Sequence, residues 1–254
     1  GTYTGNGSEG IYSFQFDPKD GETTQPILAA RSDNPSFIAI DYAGKFLYAV
    51  NEIDNFNNDS TGAVSVFQID HQSGKLKLIQ KISSLGAHPA HLSLDKSGKF
   101  LLVANYTSGN ISVFPIGKDG RLGEHTAFIQ NYGSSLNQER QTSPHAHFIQ
   151  VTDDNRFVLV ADLGMDKILI FQFDSITGSL KPNDPAFINL DPGSGPRHFA
   201  FSKSGKVLYV LNELTSTITV FDFDPTSSSQ IKQTISTLPQ NFEGANTAAE
   251  ILVD

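Results

Sequence analysis

The sequence predicts an all-β chain, a β-propeller of four-stranded blades, and three observations carry that prediction. Phenylalanine and glycine-containing turns are abundant, while no long run of Ala, Leu, Glu and Lys repeats at 3.6 residues. Four segments superpose without gaps over their first hairpin. Their second strands end at positions 51, 105, 162 and 212, and the spacings of 54, 57 and 50 fit a four-stranded blade, not an ankyrin or tetratricopeptide unit.

The chain opens on Gly5-Asn6-Gly7-Ser8-Glu9-Gly10, the G-x-G-x-x-G spacing that cradles a pyrophosphate when a strand enters it and a helix leaves it. What leaves here is Ile11 to Phe16, alternating at period two and closed by the turn Asp17-Pro18-Lys19-Asp20-Gly21, so the glycines read as a loop between strands. Ile11 to Asp17 and Gln25 to Ala29 match only a blade's third and fourth strands, a partial first blade over 1–30. Four full blades are expected over about 34–240. Their hairpins read "NPSFIAIDYAGKFLYAVNE", "HPAHLSLDKSGKFLLVANY", "PHAHFIQVTDDNRFVLVADL" and "GPRHFAFSKSGKVLYVLNE". Each is a strand, a tight turn (Ala43-Gly44, Ser97-Gly98, Asp154-Asn155, Ser204-Gly205) and a second strand, with Gly or Asn supplying φ > 0. Third strands follow at Val64 to Asp70, Ile111 to Ile116, Ile168 to Asp174 and Ile218 to Asp224, then weaker fourth strands such as Leu76 to Gln80. Residues 245–254 match only the start of a further first strand. A propeller closes its ring to remove sheet edges, so this is an incomplete arc, and about ninety or more residues, roughly two closing blades, are expected after Asp254.

Composition narrows the function. Without cysteine there are no disulfides, thiolate nucleophiles or thiolate metal sites. A net charge of −9 argues against nucleic-acid binding, and no apolar stretch approaches the 18 residues that would span a bilayer, so neither a nucleic acid nor a membrane is an expected partner. A cytoplasmic location is expected, or a periplasmic one if an export signal precedes Gly1; the oligomeric state is left open.

Strand direction decides which loops share a rim. The start of each first strand and the end of each second lie at the same end of the blade, opposite the hairpin turn. In register, the first strands place Ser36, Ala90, His147 and Arg197 at one position, and Phe37, His91, Phe148, His198 and Glu250 at the next. The second-strand ends add Asn51-Glu52, Asn105-Tyr106, Asp162 and Asn212-Glu213; the connection "NYGSSLNQERQTS" brings Arg140, and the loop after Asp162 brings Lys167. One sector thus collects Arg140, His145, His147, Lys167, Arg197 and His198 on an acidic chain. Asn51, Asn105, Asp162 and His91 read as ties between blades, because periodic polar positions satisfy periodic backbone groups. His147, Arg197 and Glu213 differ from blade to blade and read as chemistry. His145-x-His147 with Asp162 or Glu213 matches zinc-binding residue types, but no third ligand is fixed by spacing, and neither a metal nor another cofactor is expected.

These residues resemble the seven-bladed propeller lactonases, a family that includes propeller-type 6-phosphogluconolactonases and the fungal carboxy-muconate lactonizing enzyme. The resemblance covers essentially the whole chain and rests on "GTYTGNGSEGIYSF", "QERQTSPHAHFIQVTDDNRFVLVADLGMDKI", "GPRHFAFSKSGKVLYVLNE" and "NTAAEILVD". It implies seven blades and hydrolysis of a sugar lactone, 6-phospho-D-glucono-1,5-lactone first, with catalytic residues at His147 in "PHAH", Arg197 in "GPRH" and Glu213 in "LNE". A base near neutral pH and a cation for the oxyanion or the substrate's anionic group would suffice, with Glu213 orienting Arg197 or the imidazole, or serving as acid or base itself. The expected substrate contacts are Arg140, His145, Lys167, His198, Glu52 and Glu250 around a small anionic lactone. A muconate-type lactonizing cycloisomerase is the alternative enzyme. A non-catalytic interaction platform is the alternative outside enzymes, though its rim offers few aromatic anchors beyond Tyr106, Tyr132 and Phe56.

Overall fold

The second strand of each repeat is apolar on both faces, and the computed structural model, which describes residues 1–254, shows why: in the second and third full blades it is buried throughout, packed between neighbouring blades, while in the fourth Val207 and Tyr209 are only partly buried. A two-stranded sheet pairs β1 (Gly10–Ser13) with β2 (Ile27–Arg31). Four antiparallel four-stranded sheets follow. The first holds β3 (Ile38–Ile40), β4 (Phe46–Asn51), β5 (Ala63–Asp70) and β6 (Lys75–Ser83). The second holds β7 (Pro89–Leu94), β8 (Phe100–Asn105), β9 (Asn110–Pro115) and β10 (Ala127–Gln130). The third holds β11 (Ala146–Val151), β12 (Phe157–Asp162), β13 (Lys167–Asp174) and β14 (Ser179–Asn189). The fourth holds β15 (Pro196–Phe201), β16 (Val207–Asn212), β17 (Thr217–Asp222) and β18 (Gln230–Ser236). In every sheet each strand pairs with its sequence neighbour, the up-and-down order of a propeller blade.

Alternation within one strand feeds two interfaces. On β8, Leu101 and Val103 enter the cluster that holds Tyr48, Val50 and Val64 of the preceding blade, while Leu102 and Ala104 enter the one that holds Val158 and Val160 of the next. On β12, Leu159 and Ala161 meet Phe199, Leu208 and Val210 of the fourth blade. Leu159 is fully buried, so Leu159→Ala is expected to cost about 2–5 kcal/mol of unfolding free energy. Urea denaturation checks this, and a change below the lower bound would mean that the interface relaxes around the cavity.

The expected left-handed turn residues are found at Gly44 (φ 68°), Gly98 (φ 68°), Asn155 (φ 59°) and Gly205 (φ 69°). Two of the repeated Asn residues cap loops between blades: Asn51 Nδ2 donates to the Asp33 carbonyl (2.6 Å) and Asn105 Nδ2 to the Ser84 carbonyl (3.1 Å), whereas Asn212 Nδ2 donates within its own blade to the Thr217 and Thr219 hydroxyls. Residues 245–254 form no ladder; the Ala248 amide donates to the Glu213 carbonyl of the fourth blade (3.4 Å).

Candidate active site

In the second, third and fourth full blades the first strand opens with a register break that leaves one residue out of the ladder. The breaks fall between Pro89 and His91, between Ala146 and Phe148, and between Pro196 and His198, leaving Ala90, His147 and Arg197 without a cross-strand partner. A bulge twists the strand and re-aims the extra side chain. The same device therefore presents an alanine in one blade, an imidazole in the next and a guanidinium in the third.

Glu213 organises the cations. Its side chain is 5% exposed; Oε1 accepts from Arg140 Nη2 at 2.7 Å, and Oε2 accepts from Arg197 Nη1. Two arginines thus share one buried carboxylate at the rim of an acidic chain, and the Arg197 charge also acts on the Glu250 carboxyl. Arg140 Nη2 also donates to the Tyr106 hydroxyl (3.2 Å), an interaction that together with Glu213 keeps the guanidinium charged. Arg197 Nε donates to the Ala249 carbonyl (3.2 Å). With both oxygens engaged, Glu213 is placed to aim the arginines, and the expectation that it serves as acid or base itself does not fit this geometry.

Tyr106 joins the cations to the imidazoles. Its ring stacks on His145 at 4.5 Å and 15°, and meets His147 edge-on at 5.5 Å. His145 Nδ1 donates to the Tyr106 carbonyl (3.0 Å), which fixes that ring's tautomer. The His147 Nδ1 is enclosed without a hydrogen-bond partner, leaving Nε2 as the ring atom to meet water or substrate. Burial, with the charges of Arg197 and Arg140 and the nearby His198, holds His147 well below the usual 6.5, so it is a neutral imidazole at neutral pH.

Below this lies an aromatic layer. His91 is sandwiched between Phe37 (4.1 Å) and Phe148 (4.0 Å), and its Nδ1 accepts the Ile149 amide (3.3 Å). His198 packs on Phe148 (4.6 Å), stands 5.2 Å from His147 and donates from Nδ1 to Glu250 Oε1 (2.8 Å). On the far side of the layer is a cavity of about 510 Å³, lined by Phe37, His91 and Phe148 and by turn-side residues that include Lys96 and Lys203.

Arg140, His145, His147, Arg197, His198, Glu213 and Glu250 thus form one connected cluster. Lys167 does not join it, a correction to the expectation from strand direction. Its ammonium sits 4.2 Å above the Phe187 ring, on the outer strand, because cation–π contact along the blade face satisfies it there. Glu52 forms no ion pair with either arginine and accepts from the Tyr3 hydroxyl (2.7 Å), a group that also feels the Arg197 charge. Sequence reasoning places Tyr106 on the rim without a role in the site; its adjacency to Asn105, as Glu213 adjoins Asn212, is the available signal.

Asp162 underlies the His145 turn. Oδ1 accepts the amides of His145 (2.8 Å) and Gly164 (3.1 Å), and Asn131 Nδ2 reaches Oδ2 at 3.4 Å. Burial outweighs these donors and pushes its carboxyl up to about 7. A folded value above the unfolded 3.8 means a stabilising contribution that is complete below 3.8 and lost as pH rises through about 7. Asn stands at this place in the other three full blades, and an Asp162→Asn side chain can keep both amide contacts on its oxygen while Asn131 rotates its amide. The variant is expected to exceed wild type in stability at pH 8, with the gap closing at roughly 1.4 kcal/mol per unit as pH falls toward 5. Urea midpoints across that range check it; a gap that does not change with pH would overturn it.

Comparison with known proteins places this geometry among relatives. Residues 1–254 match the family model described as lactonase, 7-bladed beta-propeller. The 6-phosphogluconolactonase of Bacillus subtilis is 34% identical over 254 residues, all of this chain and 70% of that protein. The 6-phosphogluconolactonase of Formosa agariphila is 35% identical over 215 residues, 84% of this chain and 60% of that protein. Among solved structures, the periplasmic gluconolactonase of Pseudomonas aeruginosa is similar with a TM-score of 0.89 at 32% identity, over 97% of this chain and 69% of that one.

Proposed function

Because the chain belongs to the seven-bladed β-propeller lactonase family, we propose that it contributes the site of a lactone hydrolase acting on 6-phospho-D-glucono-1,5-lactone, opening it to 6-phosphogluconate. The observation that carries this reading is a neutral imidazole beside two arginines that share one buried carboxylate. A base that is unprotonated at neutral pH stands next to two guanidiniums, and water attack on the carbonyl of an anionic ester requires such a pairing of base and cation.

The steps follow from the residues. Water oxygen bonds to the lactone carbonyl carbon while His147 Nε2 takes the water's proton. The carbonyl oxygen becomes an oxyanion, and Arg197, held by Glu213 and the Ala249 carbonyl, stabilises it or the neighbouring anionic group. As the intermediate collapses, the ring C–O bond breaks and the imidazolium returns its proton to the departing oxygen. The product is a carboxylic acid with a free hydroxyl, and the acid loses its proton to solvent. Arg140, braced by Tyr106 and Glu213, is positioned to hold the substrate's phosphate.

The phosphate sets the comparison with the unphosphorylated lactone, since a guanidinium can bind a phosphate through paired charge-assisted hydrogen bonds. Freshly generated 6-phospho-D-glucono-1,5-lactone is expected to be hydrolysed well above its spontaneous rate, and with a higher kcat/KM than glucono-1,5-lactone. Equal rates with and without enzyme would end the hydrolase reading, and equal kcat/KM values for the two lactones would end the phosphate assignment. A phosphate ester substrate places the work in the cytoplasm; a periplasmic pool on fractionation would count against that. No helix is long and apolar enough to cross a membrane.

A further inference from the structure

The turn between β12 and β13 carries a carboxylate where the neighbouring blades carry almost nothing. Four residues after Asn105, Asp162 and Asn212 stand Gly109, Asp166 and Ser216, all in the left-handed region at φ 62°, 53° and 51°. Glycine takes that conformation freely and aspartate at some cost, so the repeat itself does not call for a carboxylate here.

Asp166 is 3% exposed and accepts four hydrogen bonds from two separate loops. From the loop after β10, Ser135 Oγ donates to Oδ2 (2.5 Å) and Gln141 Nε2 to Oδ1 (2.8 Å). From the loop before β15, the amides of Gly193 and Gly195 donate to Oδ2 (2.7 Å) and Oδ1 (2.6 Å). Gln141 adjoins Arg140, and Gly195 lies two residues before Arg197. The Gly195 carbonyl also accepts the Glu213 amide at 2.7 Å. One buried side chain therefore ties together the backbones that deliver both arginines and the carboxylate between them.

We propose that Asp166 is the positioning residue that sets the spacing of Arg140 and Arg197, and so the shape of the anion site; the claim rests on the lactonase reading for its effect on turnover. Asp166 touches no substrate. It acts by replacing the mobility of two loops with a common anchor, and loosening that anchor displaces two guanidiniums together. Displacements of about an ångström at reacting groups cost on the order of a hundredfold in rate.

The test uses Asp166→Gly, which restores the residue that the second blade uses at this turn while deleting all four hydrogen bonds, and Asp166→Asn, which keeps one acceptor oxygen. For Asp166→Gly, kcat/KM on the phosphorylated lactone is expected to fall roughly 10- to 100-fold, with KM rising, and the Kd for inorganic phosphate by calorimetry is expected to weaken several-fold. Asp166→Asn should fall between this and wild type. In an Arg140→Ala background the Asp166→Gly factor should shrink but not vanish, since one of the two groups being positioned is gone and Arg197 remains. An unchanged phosphate Kd, or the same loss factor with and without Arg140, would overturn the proposal. If wild type binds phosphate without hydrolysing the lactone, the hydrolase reading fails by itself, and the phosphate affinities of the Asp166 variants still decide the positioning role.

Discussion

Replacing Arg197 with alanine is expected to lower kcat/KM for 6-phospho-D-glucono-1,5-lactone by roughly 10²–10³-fold, the range for deleting a donor to a developing oxyanion. Arg197 sits on a bulge, out of the ladder, and Glu213 and the Ala249 carbonyl fix two of its nitrogens. The equivalent places in the other three full blades hold Ser36, Ala90 and His147, none of them a guanidinium. Arg197→Lys retains the charge but cannot span Glu213 and substrate with a planar fork, so it should recover only part of the loss. Glu213 keeps Arg140 in either variant, and the carboxylate is therefore not left unpaired. Steady-state kinetics on folded variants check this; Arg197→Ala within about threefold of wild type would remove Arg197 from the mechanism.

His147→Ala is the second large effect, an expected loss of about 10²–10⁴-fold for a missing general base. The pH profile tests the same residue without deleting it. Burial and the charges of Arg197 and Arg140 disfavour the imidazolium, so the acid limb of kcat/KM should lie below 6.5. Removing the Arg197 charge relieves part of that pressure, so in Arg197→Ala the limb should move up in pH toward the ordinary imidazole value. His147→Ala should have no such limb. A wild-type limb above 6.5, or a limb that Arg197→Ala leaves in place, would show that another group supplies the base.

Much of the site is legible without coordinates, because a repeat makes its own exceptions visible. Laying Ser36, Ala90, His147 and Arg197 over one another exposes two positions where a periodic tie becomes a chemical group. The same comparison sets Asp166 opposite Gly109 and Ser216, but a carboxylate in a turn looks like any solvated loop residue until its partners are known. Lys167 is misplaced by sequence for a related reason. Strand direction puts a residue at the correct end of a blade, but only packing says whether its side chain turns toward the channel or lies along the sheet over Phe187.

What the sequence alone determined was the period-two alternation, the glycine and asparagine turns and the blade period, since these are local properties of hydrophobic patterning and backbone sterics. It also determined which residue types reach one rim. Tertiary structure alone decided that Glu213 engages two arginines 73 and 16 residues away in the chain and that Tyr106 bridges cation and imidazole. It also decided that His147 is buried enough to stay neutral. Those outcomes depend on distances between blades and on how much water the packed rim excludes, quantities that no single strand encodes.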